Sequence, residues 1–289
     1  MNATLTYFGM AIMRKHSNHI LVNQPAYIDK ILTSTDMHEC SGCTTPMSTD
    51  QSFNDKFKNE PVNYQLYLKH VGLINYLAGQ TRPDLLYSLS RAAQHCSSPK
   101  LSDMKRIKRI IRYIKHTKDI GITFNCDNDM RLIIHIDASH NCYEDGKGHM
   151  GISASIGENN GCFFAQSCKI KRVTLSSSET EYTAASIGST NIVYLRRLLD
   201  NIGFPQVQPT VIYDDNSSCI KILFGDLNHR TSKHIRIKYH HVKELIKEGD
   251  IQLIYKPTVE MIADVLTKPL PATKHAYFAS KLLNCTIQE

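Results

Sequence analysis

"TVIYDDNSSC", Thr210–Cys219, runs an apolar stretch straight into two adjacent acids and then into a polar tail. In an extended strand successive side chains alternate, so Val211 and Tyr213 share one face while Ile212 and Asp214 share the other. Asp215 then stands where strand gives way to helix, before "NSSCIKILF". Two readings compete for it. It is a helix N-cap, whose oxygen satisfies free N–H groups of the first turn. Or it belongs to a functional group of acids supplied by several elements. The surrounding chain has to decide.

Working outward, "PTVIYD" follows a long helical pattern from about Ser177 to Asn201, ended by Gly203 and Pro205. It precedes a helix from Asn216 to about Phe224. Upstream, "RLIIHID" reads as a buried strand. "GHMGISASIG" and "CFFAQSC" flank "ENNG", in which Asn160-Gly161 is a good hairpin turn. Downstream come the basic segment "NHRTSKHIRIKYHHVKELIKEG", the strand "DIQLIYK" and a helix from about Val259 to Thr267. The order β-β-β-α-β-α-α-β-α argues for a mixed sheet with helices packed on it.

Several acids fall at the ends of these elements. Asp137 closes "LIIHID". An acid on a central strand is costly to bury unless it is paired or holds metal, and the plain alternative is a solvated strand end. "SSSETEYTAAS" offers Glu179 and Glu181. Two residues of helix are about 200° of rotation, so the two cannot share a site. Ser176 with Glu179 fits a capping box, which leaves Glu181 to project elsewhere beside small Ala184 and Ala185. Asp264 lies in "TVEMIADVLTK" between Ile262 and Val265, on a helix expected to be capped by Thr258. Asp137, Glu181, Asp215 and Asp264 could converge. Carboxylates brought that close raise one another's pKa, and divalent cations between them make the arrangement favourable. Hard oxygen ligands suit Mg²⁺ or Mn²⁺. A pair of such ions activates water for phosphodiester hydrolysis.

The first part of the chain reads differently. "QPAYIDKILTST" carries Tyr27, Ile28, Ile31 and Leu32 at helix spacing, and "TTPMSTDQSFNDKFKNEPVN" reads as a linker. From Tyr64 to about Lys118 the pattern is helical, broken at Pro83 and stopped at Pro99. In "SDMKRIKRIIRYIKHTKD" an apolar stripe of Met104, Ile107, Ile110, Ile111 and Ile114 is surrounded by basic residues. Lys105, Arg109 and Arg112 are candidate phosphate contacts there, against the alternative of a merely solvated face.

The 289 residues are 42% hydrophobic and 21% charged, as in an ordinary folded chain of one large or two smaller domains. A net charge of +7 with 14 further His suggests a polyanionic partner. Only Cys40 and Cys43 of the nine Cys form a C-x-x-C, which argues against a structural zinc and for a reduced intracellular chain. No apolar run reaches the roughly 18 residues of a membrane span, and the opening has no signal-peptide pattern.

These residues carry a resemblance. "HIDAS", "TLSSSETEYTAAS", "YLRRLLDNIG", "YDDNSSCIKI", "HRTSKHIRIKYHHVKE" and "KPTVEMIADVLTKPLP" resemble, in order and spacing, the ribonuclease H domain of copia-type LTR retrotransposon Pol polyproteins. "YFGMAI", "YLAGQTRPDLLYSLSRAAQ" and "RIKRIIRYIKHTKDIGITF" resemble the end of the reverse transcriptase and the connecting region just upstream. The resemblance implies an α/β, ribonuclease H-like mixed five-stranded sheet with flanking helices, preceded by a mainly helical thumb or connection remnant. It implies a reverse transcriptase end at 1–47, a helical connection at 48–128, the ribonuclease H-like domain at 129–271 and a tail at 272–289. Its acids fall on Asp137, Glu181, Asp215 and Asp264, holding two Mg²⁺, with Mn²⁺ as substitute. The substrate implied is the RNA strand of an RNA–DNA hybrid. Arg230, Lys233, His234 and Arg236, with the Lys105–Lys118 helix, would hold phosphates in a salt-dependent way. His229, His240 and His241 are further candidates for phosphate or proton contacts. The partners implied are the hybrid and the rest of the polyprotein, with no membrane. The setting is intracellular, in cytoplasmic virus-like particles or the nucleus.

The chain departs from the family where Ser139 and His140 replace a common second acid and Trp, and in "GKGHMG". The alternative is therefore a truncated, non-catalytic nucleic-acid-binding remnant. "YDD" lacks the intervening residue of the polymerase Y-x-D-D motif and opens a helix instead of turning a hairpin, so Asp215 goes with the nuclease. The polymerase centre itself is missing from the chain.

Overall fold

The computed structural model describes residues 4–15, 18–50, 60–126, 129–224 and 233–287, with backbone only for 222–224 and 233–239. The chain forms two compact units. One comprises Met1–Cys126, Asn159–Cys162 and Lys268–Glu289; the other comprises Asp127–Glu158 and Phe163–Thr267.

The first unit holds an antiparallel sheet of β1 (Thr4–Tyr7), β2 (Met10–Lys15), β3 (His19–Asn23) and β4 (Ile122–Asn125), in that order. Phe8 and Gly9 both take positive φ between the paired Tyr7 and Met10, as a two-residue hairpin turn requires. This sheet has no counterpart in the sequence expectations, because Leu5–Ile12 reads only as a short apolar segment. The unit also holds α1 (Pro25–Ser34), α2 (Tyr64–Gln80), α3 (Leu86–Ala93), α4 (Leu101–His116) and α8 (Ala272–Leu283), the last of which meets β4. Ile28 and Ile31 of α1, Ile74 and Leu77 of α2, and Ile107, Ile110, Ile111 and Ile114 of α4 form one buried cluster. The expected stripe of α4 is thus its core face.

Three basic residues of α4 serve the protein's own backbone. Arg109 donates Nε to Thr45 O at 3.2 Å and Nη2 to Thr45 Oγ1 at 2.8 Å. Arg112 donates Nε to Ser41 O at 2.7 Å, and Lys115 donates Nζ to Cys40 O at 2.8 Å. Carbonyls of a segment without regular structure need such donors. Beneath lies a buried ion pair, Arg82 Nη2 to Asp84 Oδ2 at 2.7 Å, closed by Tyr113 Oη to Asp84 Oδ2 at 2.9 Å and Arg82 Nη1 to Thr117 O at 3.0 Å.

The second unit holds β5 (Leu132–Ser139), β6 (Lys147–Ile156), β7 (Phe164–Val173), β8 (Thr210–Asp214) and β9 (Ile251–Tyr255) in the order β7-β6-β5-β8-β9. β5, β6 and β7 are antiparallel; β8 runs parallel to β5, and β9 parallel to β8. Parallel neighbours need a crossover, which α5 (Ser177–Asn201) supplies before β8, and α6 (Ser217–Phe224) with α7 (Lys233–Glu248) before β9. Ile134, Ile136, Ile152, Ala184, Ile192, Leu195 and Ile212 form the core between sheet and helices. Gly188 lets α5 lie close, since a Cβ there would stand 2.4 Å from Ile136 Cδ1. This is the ribonuclease H-like mixed sheet implied by the resemblance.

Two local expectations fail. Asn160-Gly161 is not a two-residue hairpin turn. The side chain of Asn160 accepts from Asn125 N, and a Cβ on Gly161 would stand 2.4 Å from Ile122 Cγ2, so this pair packs on β4 of the first unit. The expected helix from Val259 to Thr267 is two tight 3₁₀ turns, Thr258–Glu260 and Ile262–Leu266, split where Met261 takes an extended ψ of 96°. Thr258 caps nothing with its side chain.

A candidate metal centre

The pairing of β5 with β8 covers only Ile133–His135 opposite Val211–Tyr213, yet β5 runs on to Ser139. Past that point the Ala138 N–H reaches the Glu181 carboxylate. Glu181 arrives from the start of α5. Ser176 caps that helix by accepting from Glu179 N at 3.1 Å, and Glu179 Oε2 accepts from Leu175 N at 2.8 Å. Glu179 thus has the local role expected of it. The reciprocal bond goes to Leu175 and not to the Ser176 N–H of the usual capping box.

The N-cap reading of Asp215 is displaced by its neighbour. Asn216 Oδ1 accepts from Cys219 N at 2.9 Å and so caps α6. Asp215 Oδ2 instead accepts from Thr258 Oγ1 at 2.6 Å. Asp137, Glu181 and Asp215 each place one carboxylate oxygen within 4.8 Å of the others. Asp137 and Glu181 are buried and Asp215 half-buried.

Asp264, the fourth candidate, is buried on the Ile262–Leu266 turn and lies outside that group of three. Its turn nevertheless meets the site, because Thr267 donates its hydroxyl to Asp137 Oδ2. Sequence reasoning missed this hydroxyl. It also gave no role to Asp214, which is fully buried and accepts from Asn216 N at 2.7 Å through Oδ1. Alternation along β8 placed Asp214 on the inner face, and that was its available signal.

Burial first, then the charges of Asp137, Asp214 and Asp215, push the Glu181 carboxyl up to about 11 against a small opposing pull from the Ala138 N–H. Burial also pushes Asp214 up to about 7, opposed by the Asn216 N–H and reinforced by Asp215 and Asp137. Glu181 Oε2 and Asp214 Oδ2 have no hydrogen-bond partner. Crowded, buried, incompletely satisfied carboxylate oxygens fit a divalent cation of the Mg²⁺ or Mn²⁺ type, whose charge favours their ionised forms. Asp137, Glu181 and Asp215 are the residues that would hold it.

The predicted phosphate contacts fare unevenly. Arg230 and His229 lie outside the described residues. Lys233, His234 and Arg236 lie on α7, where only the backbone course is described. Arg109 and Arg112 are engaged with Thr45 and Ser41, while Lys105 is half-buried on α4. On α7, His240 is exposed and His241 half-buried. His140 Nδ1 stands 2.8 Å from Thr180 Oγ1 at the start of α5.

No protein-family profile matches the chain. Among curated proteins it is 31% identical over 288 residues to the retrovirus-related Pol polyprotein from transposon RE1 of Arabidopsis thaliana, covering 96% of this chain and 19% of that protein. It is 27% identical over 274 residues to the corresponding polyprotein from transposon TNT 1-94 of Nicotiana tabacum, covering 92% of this chain and 20% of that protein. The chain thus spans about a fifth of the length of these relatives. A foamy viral protease-reverse transcriptase solved with double-stranded DNA shares its fold at a TM-score of 0.50 and 12% identity, over 88% of this chain and 38% of that one. An N-terminal RNase H domain from Mycobacterium tuberculosis aligns at a TM-score of 0.37 and 16% identity, over 48% of this chain and 91% of that one.

Proposed function

Across nearly its whole length the chain is homologous to a segment of the retrovirus-related Pol polyproteins of copia-type plant transposons, and on that premise we propose that its second unit is a ribonuclease H. The substrate is the RNA strand of an RNA–DNA hybrid. Asp137, Glu181 and Asp215 hold the divalent cations, two in the full arrangement, and Asp264 is the fourth carboxylate, within the same unit. When bound, such cations supply Lewis acidity and charge neutralisation for phosphodiester hydrolysis.

The chain's own residues prepare the site. The Ala138 N–H and the Thr258 hydroxyl orient the Glu181 and Asp215 carboxylates. Lys233, His234 and Arg236, in the sequence of α7, are the proposed phosphate contacts, and such contacts make binding salt-dependent. The working context is the rest of a Pol polyprotein.

The convergence of three carboxylates within 4.8 Å carries this reading. The test is cleavage of a labelled RNA–DNA hybrid in Mg²⁺ by the parent and by Asp215→Asn. The expected loss in the variant is roughly 100-fold or more. The competing reading, a non-cleaving hybrid binder, draws on Ser139 and His140, where a second acid of the family pattern is replaced. A folded parent that binds hybrid and leaves its RNA intact decides for that reading.

A further inference from the structure

Asp137 is gripped from a side that its own strand does not supply. Thr267, fully buried, ends the Ile262–Leu266 turn and donates its hydroxyl to Asp137 Oδ2. The same hydroxyl stands 3.2 Å from Asp264 O. It has one proton to give, and the ionised carboxylate is the stronger acceptor.

The turn that delivers Thr267 is held in its turn. Asp137, Gly151 and Ser167 stand opposite one another on β5, β6 and β7 and so share one face of the sheet. A Cβ on Gly151 would lie 2.6 Å from Leu266 Cβ and 2.8 Å from Thr267 Cγ2, so only glycine lets the turn rest there. Ser167 Oγ donates to Leu266 O at 2.7 Å. Its proton committed, Ser167 accepts from His149 Nε2 at 2.7 Å. His149 therefore carries a proton on Nε2, and its Nδ1 stands 2.6 Å from Tyr143 Oη. His149 is fully buried.

We propose that Thr267 is a positioning residue of the metal centre. Its hydroxyl sets the rotation of the Asp137 carboxylate at which a divalent cation binds, and Ser167 and His149 fix the turn that carries it. The inference rests on the metal-dependent reading above. Outer partners of metal-ligating carboxylates act in this way because the ligand is then ordered before the ion arrives.

The test is titration of the metal-free full chain with Mn²⁺ alone, followed by calorimetry. Thr267→Val keeps the shape and removes the donor. It is expected to weaken Mn²⁺ binding about tenfold, while Thr267→Ser stays within about threefold of the parent. Circular dichroism and melting without metal establish folding, and Thr267→Ala takes the place of the valine variant if that one does not fold. A donor-free variant that binds Mn²⁺ as the parent does overturns the proposal. Asp215→Asn in the same titration separates the two levels. If it loses binding while Thr267→Val does not, the positioning role alone fails. If Asp215→Asn binds as the parent does, the metal centre fails and the positioning role with it.

Discussion

Two helical positions separate Glu179 from Glu181, and the rotation of about 200° sends one to the Leu175 N–H and the other into the carboxylate group. Glu179→Gln is expected to cost at most about 1 kcal/mol of stability and to leave Mn²⁺ binding intact, because it touches only a cap. Glu181→Gln should lose Mn²⁺ binding, yet melt no lower than the parent without metal. The amide mimics the protonated form that burial and Asp137 already favour. Thermal melts and calorimetric titration of both variants check this, and a lower metal-free melt for Glu181→Gln would contradict it. Helix arithmetic made this pair legible in the sequence. Asp215 was not legible in the same way. Its rival role as a cap is removed only by seeing Asn216 Oδ1 on Cys219 N.

Elements with a single strong period were read well. Helix α5 spans Ser177–Asn201 as its caps imply, and β8 alternates buried and half-buried from Thr210 to Asp214. The misread elements are those shaped by contacts distant in sequence. Val259–Thr267 has helix-like apolar spacing, but it splits into tight turns against β6, where Gly151 makes room. β4 is four residues long and among the described residues pairs with β3 alone, about a hundred positions earlier, so no local pattern announces it. The glycine makes the element-scale prediction. Gly151→Ala should destabilise the protein by about 1–3 kcal/mol, the usual cost of overpacking. It should also weaken Mn²⁺ binding by displacing Thr267. Urea unfolding and the Mn²⁺ titration report the two effects; an alanine variant as stable as the parent means the turn does not bear on the sheet.

The whole molecule joins a sheet-and-helix unit built on the Arg82–Asp84 pair to the unit carrying the acids. Net charge alone pointed to a polyanionic partner. What it could not reveal is how much of the positive charge on α4 binds backbone carbonyls at Ser41 and Thr45. Acid sensitivity is a property of this scale. His275 is buried against Tyr113, with neither ring nitrogen hydrogen-bonded. Burial holds it down to about 4, with Asp84 pulling up and Arg82 pushing down. An imidazole depressed in the fold favours folding above its ordinary value of 6.5, and that contribution is lost as pH falls from there toward 4. Between pH 7 and pH 5.5 the expected loss is about 1 kcal/mol. His275→Leu should flatten that slope in urea unfolding, and a slope equal to the parent's would show the sensitivity to lie elsewhere.

Asp137 and Thr267 meet across 130 positions of chain. A ribosome delivers Asp137 first, then Glu181 and Asp215, and the hydroxyl that aligns the first acid arrives after all of them. On the positioning role proposed above, a cation that binds the nascent chain early meets Asp137 before the Thr267 hydroxyl has arrived. Closing a loop of that length costs only slowly growing entropy, so the separation itself is no bar to the contact. Of the groups named at this centre, Thr267 is the last to be made.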